Sequence, residues 1–128
     1  MPLTKTWADR VLRAVLHGEA MPVVRETWVG LLSELPSDEM PEGVEFDAPS
    51  YERVRGAWRD PDGGVLTNAN DMAWPRALED WGEALGFAVY DAPEGGEMVM
   101  WGTHDLPKRF EAVDRAFVLP GDYRVRIS

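Results

Sequence analysis

The chain has 128 residues, 45% apolar and 28% charged, a balance that supports one globular core and not a disordered polypeptide. Its formal net charge is −10. An acidic surface repels phosphate, so no nucleic-acid partner is expected. The absence of cysteine removes disulfide staples and thiolate metal sites. No apolar run reaches the roughly 18 residues of a membrane span, and charges interrupt residues 1–20 where a signal peptide needs an apolar stretch, so no membrane association is expected.

The first element is helical. In residues 6–17, TWADRVLRAVLH, Trp7, Val11 and Val15 recur at i, i+4, i+8 with Ala8, Leu12 and Leu16 beside them. Thr6 and Asp9 have the spacing of a capping box, and Gly18 stands where a helix stops. This predicts an N-terminal helix within residues 1–18, packed on the body or anchoring it to a neighbour.

Residues 19–128 read as a single β domain. Strands are expected over 23–32, 51–59, 65–67 and 71–74, with 76–84 left to a short helical turn. In 51–59, Tyr51, Arg53, Arg55, Ala57 and Arg59 alternate with Val54, Gly56 and Trp58, which places the arginines outward. Residues 33–50 form a long Pro-containing stretch whose charged residues are all acidic, including Asp38, Glu39 and Glu42. A loop of that length in a small domain is usually functional or disordered.

Two apolar runs, 85–90 and 98–102, flank the turn sequence DAPEGGE and read as a β-hairpin. Leu85, Phe87 and Val89 alternate with Gly86, Ala88 and Tyr90, and Met98 and Met100 with Val99 and Trp101, so neither face carries a charge. Such strands must be covered on both faces. Further strands are expected at 108–113, 115–119 and 122–127, the last with Tyr123, Val125 and Ile127 inward and Arg124 and Arg126 outward. The fold class is mainly β: an antiparallel sandwich, jelly-roll-like, with one N-terminal α-helix.

The chemistry of catalysis is missing. The two histidines read as a helix-end cation (His17) and a loop residue (His104), and no serine sits in a nucleophile turn. Asp60-Pro61-Asp62-Gly63-Gly64 fails the calcium-loop spacing and is a turn. No phosphate-loop, dinucleotide or zinc pattern occurs. No enzyme activity and no cofactor are expected.

An ordered set of short motifs spans nearly the whole chain: Tyr51-Glu52-Arg53-Val54, Trp74-Pro75, Trp81-Gly82, Tyr90-Asp91-Ala92, Gly95-Gly96 and Trp101-Gly102. In this it resembles the short tail-fibre-like proteins of tailed bacteriophage and prophage structural modules. The resemblance implies a virion structural protein, made in the host cytoplasm, that works by assembly contacts with other virion proteins and as a multi-copy homo-oligomer. Capsid decoration, a head–tail junction, and a receptor- or glycan-binding module using Trp58 or Trp74 are the alternatives. The residues expected at assembly contacts are Trp7 and Val11 of the helix, Asp38, Glu39 and Glu42 of the acidic loop, and an arginine stripe of Arg53, Arg55, Arg59, Arg124 and Arg126.

Overall fold

The computed structural model describes residues 3–21 and 23–126. In chain order its elements are α1 (Lys5–His17), β1 (Thr27–Glu34), β2 (Val44–Glu45), β3 (Val54–Gly56), β4 (Val65–Thr67) and β5 (Met72–Ala73). Then follow β6 (Gly82–Tyr90), β7 (Met98–Phe110), β8 (Phe117–Val118) and β9 (Arg124–Arg126). The main sheet runs β2-β1-β6-β7, with β3 also on β1. β4 pairs with β9 and β5 with β8. Every pairing is antiparallel.

The two short ladders pack on one face of the main sheet. Val29, Leu31, Phe87, Val89 and Met100 from the sheet share a core with Met72, Trp74, Val118, Tyr123 and Val125. The mainly β, antiparallel architecture expected from strand patterning is therefore the one the chain adopts. A second, smaller cluster of Leu32, Ala88, Tyr90 and Met98 lies on the opposite face of β1 and β6, with Trp101 against it. The uncharged hairpin is thus buried on both sides.

Strict alternation fails inside that hairpin, for a physical reason. Ala84 pairs with Lys108 but Gly86 with Thr103, so four residues of β7, His104 to Pro107, stand opposite Leu85 alone. This bulge resets the faces: Ala84 joins Phe87 and Val89 in the core, while Leu85 is only half-buried. A second slip pairs Val89 with Met100 but Tyr90 with Met98, and Val99 is the extra residue. Met98 and Met100, expected on one face, consequently lie in different clusters.

Other boundaries shift. β1 begins at Thr27, not 23, and only Val54–Gly56 of the 51–59 run is strand. Residues 76–84 hold no helix; they bend at Leu78 and Glu79 and enter β6 at Gly82. Thr4, not Thr6, caps α1: its backbone is extended and its side-chain oxygen accepts from the Trp7 amide at 3.4 Å. Asp9 instead pairs with Arg13 at 3.0 Å. Gly18 closes the helix in the left-handed conformation, φ 68°, as its position predicts. Tyr123 and Val125 point inward, and Ile127 lies outside the described residues.

Candidate assembly interface

α1 is joined to the hairpin at its first turns. The Thr4 amide donates to the Val99 carbonyl at 3.0 Å and the Thr4 hydroxyl to the Met98 carbonyl at 2.9 Å. Arg10 grips Glu97 through both terminal nitrogens, at 2.7 and 3.1 Å, and its guanidinium carbon lies 5.0 Å from the centre of the Trp7 ring. Glu97 holds the Arg10 charge above its ordinary pKa through that hydrogen bond. Trp7 is buried; Val11 is half-buried.

Beyond Val11 the helix leaves its larger apolar residues in water. Leu12 is 54% exposed, Val15 64% and Leu16 71%, and Met21 and Val23 just after the helix are exposed too. Of the described residues of α1 only Trp7 is buried, so of the two helix residues expected at assembly contacts Trp7 lies inside the body and Val11 stays half-exposed. A 13-residue helix has little stability of its own, so its contacts with Met98, Val99 and Glu97 hold it while its second half stands free.

Beside the first turn of α1, at Thr4, Lys5 and Thr6, lies a groove of about 500 Å³. Leu3, Met98 and Trp101 supply its apolar surface, Pro36 and Pro41 stand beside them, and Asp38 and Glu42 bring negative charge. Lys5 reaches Asp38 at 3.4 Å across highly exposed ground. Of the acidic residues singled out in the sequence, Asp38 and Glu42 line this groove and Glu39 is exposed in the same loop.

The acidic segment is not one irregular loop, because β2 pairs its centre with β1. Glu45 of β2 faces inward. Its two oxygens accept from Nε and Nη2 of Arg53, each at 2.9 Å, and one also accepts from the Tyr51 hydroxyl at 2.6 Å. Tyr51 in turn accepts from the Leu31 amide. Nη1 of Arg53 donates to the Ala92 and Gly95 carbonyls of the hairpin loop, and its guanidinium lies 3.4 Å from the centre of the Tyr90 ring. The Arg53 side chain is only 9% exposed.

Arg53 is therefore no part of an outward stripe. It lies on the Tyr90 side of the sheet, opposite Val54, and there Glu45 and the hairpin loop cover it. Burial works against the Arg53 charge, and the hydrogen bond and charge of Glu45 outweigh it. Burial, reinforced by Glu45, pushes the Tyr51 and Tyr90 hydroxyls well above the ordinary tyrosine range. Gly30 makes room for the cluster: a Cβ there would collide with Glu45 and the Tyr51 hydroxyl.

The other arginines separate into two places. Arg55 pairs with Glu26 at 3.1 Å on the surface. The Arg59 amide donates to the Thr67 carbonyl and Thr67 pairs with Arg124, so Arg59, Arg124 and Arg126 gather, all exposed, at the β4–β9 ladder. Trp58 is half-buried and its indole donates to Thr27, while Trp74 is fully buried. Trp74 therefore has no open ring face, while Trp58 keeps part of its surface exposed.

His104, expected in a loop, lies within β7. Its ring anchors the β7 bulge: Nδ1 lies 3.2 Å from the Ala84 carbonyl and Nε2 2.8 Å from the Tyr123 hydroxyl. A carbonyl only accepts, so Nδ1 carries the proton and Nε2 accepts from Tyr123. Burial lowers the His104 pKa below its usual value. Tyr123 also stacks on Phe87 at 3.9 Å between centroids. Nothing in the spacing of His104 signals these partners, which a bulge brings together. Among the described residues, no group of three or more His, Asp or Glu is placed to hold a metal ion.

The family model described as Podophage GP4 fiber I protein gp80 matches residues 2–126. The chain belongs to this family. It is a phage fibre protein, and the family is one of virion structural components. No curated protein matches the chain. The motifs that carried the tail-fibre resemblance occupy structural places in this fibre protein: Arg53 in the buried ion pair, Trp74 and Trp81 in the core, and Gly102 against the Phe87 ring.

Proposed function

We propose that this fibre protein is a structural part of the tail or fibre apparatus of a tailed phage, working through protein contacts and without catalysis. The free half of α1 is its attachment surface to a neighbouring virion protein. The observation that carries this reading is the solvent exposure of Leu12, Val15 and Leu16 on a helix already secured at its first turns. Fully burying such side chains is worth about 2 kcal/mol each, and on the isolated chain that gain is unclaimed. Under this reading residues 1–18 act as the anchor and residues 19–128 as the β body.

The test is complementation with particles. A phage carrying Leu12→Glu and Leu16→Glu should make folded protein that fails to enter virions. Normal incorporation of that variant would refute the attachment role.

A second contact, between the exposed Arg59, Arg124 and Arg126 cluster and an acidic segment of a neighbour, fits the outward placement of those three side chains. Incorporation unaffected by about 1 M salt, where surface charges are screened, would exclude it.

A further inference from the structure

A cavity of about 620 Å³ opens between the β7 bulge and the segments 116–118 and 122–124. Phe87, Phe110, Val118 and Tyr123, all buried, form its apolar floor, and Trp74 stands among them. Volume and lining are those of a small-molecule site. Three of the four residues that stand opposite Leu85 in the bulge, His104, Asp105 and Leu106, make one wall, and bulges are frequent beside functional sites. The floor is held in place: Tyr123 stacks on Phe87 at 3.9 Å between centroids and donates to His104 at 2.8 Å. Leu106 is 85% exposed and Phe117 57%, so the apolar surface continues out to the mouth.

The polar groups of the cavity favour an anion. Lys108 and Arg124 line it, and neither pairs with a carboxylate among the described residues. The Lys108 ammonium lies 5.5 Å from the centre of the Phe110 ring, over the floor. The indole N–H of Trp74 is buried and has no acceptor, which is a disfavoured state for a donor. Of the two carboxylates in the lining, Asp122 already accepts from the Leu119 amide at 3.0 Å, so Asp105 alone stands against two cations. We infer that this cavity binds a small organic acid, its apolar body on the Phe87 and Tyr123 floor and its carboxylate at Lys108 and Arg124. In a chain of net charge −10 most of the surface repels such a ligand, and a paired Lys and Arg beside an apolar hollow select it. None of the lining residues belongs to α1 or to the groove beside it.

Calorimetric titration of the full chain with naphthoate, and with its uncharged counterpart naphthalenemethanol, reads the outcome. Naphthoate is expected to bind at a single site, and naphthalenemethanol about tenfold more weakly. Lys108→Gln with Arg124→Gln should weaken naphthoate about tenfold and bring the two probes to equal affinity. Melting should stay unchanged, since both side chains are exposed. Lys5→Gln with Arg109→Gln makes the same change of charge away from the cavity and should leave naphthoate binding intact. Naphthoate should also move the indole proton resonance of Trp74, identified by its loss in Trp74→Phe. No binding of naphthoate, equal binding of both probes by the unaltered chain, or an equal loss in the Lys5 and Arg109 variant overturns the organic-acid site. Naphthoate binding that leaves the Trp74 resonance in place puts the acid elsewhere and overturns it too.

Discussion

Arg53 and Glu45 meet through two parallel 2.9 Å hydrogen bonds beneath the Tyr90 ring. Arg53 thereby joins β2, the approach to β3 and the hairpin loop after β6. The pair also takes Glu45 out of the acidic surface and Arg53 out of the basic one.

Removing Arg53 leaves the Glu45 carboxylate desolvated with a single tyrosine hydroxyl. Arg53→Ala is expected to cost about 3 kcal/mol in urea denaturation, as breaking a buried pair generally does. Arg53→Lys should recover only part, because an ammonium cannot donate to both Glu45 oxygens and two loop carbonyls in a planar fork. The double variant Arg53→Ala with Glu45→Ala should lose less than the sum of the two single changes.

Gly102 lies against the Phe87 ring, where an added Cβ would sit 2.6 Å from its tip. Phe87 cannot retreat, because Tyr123 is stacked on it at 3.9 Å. Gly102→Ala is therefore expected to destabilise by about 2 kcal/mol through overpacking and to alter the near-ultraviolet aromatic dichroism.

His104 makes folding sensitive to mild acid. Its folded pKa is lowered by burial, so the unfolded chain takes up its proton first as pH falls. The contribution is complete above the unfolded value of about 6.5 and declines as pH drops from there toward the folded pKa. Thermal melts from pH 8 to pH 5 should show this loss, and His104→Gln should remove its share of the slope while lowering stability at pH 8.

Leu12→Glu and Leu16→Glu should leave the melting of the monomer unchanged within about 0.5 kcal/mol, since both positions face water. Trp7→Ala, on the same helix, should cost about 3 kcal/mol. Equal losses from both ends of α1 would mean that its second half packs on the body after all.

Period and turn chemistry in the sequence determined much of this protein. They specified the amphipathic helix with its Gly18 stop, the hairpin around DAPEGGE, the short β4 strand, the inward Tyr123 and Val125, and a motif order resembling phage fibre proteins. These are local or nearest-neighbour properties, written in spacings of two and 3.6 residues. What only the tertiary structure decided lies where the chain departs from period: the bulges at Leu85 and Val99 that exchange the faces of β6 and β7, and the approach of Glu45 to Arg53 that turns an outward arginine inward. It also decided which part of the amphipathic helix finds the core. A sequence shows that α1 has an apolar face, but the body buries Trp7 and covers Val11 only in part, and it leaves Leu12, Val15 and Leu16 exposed.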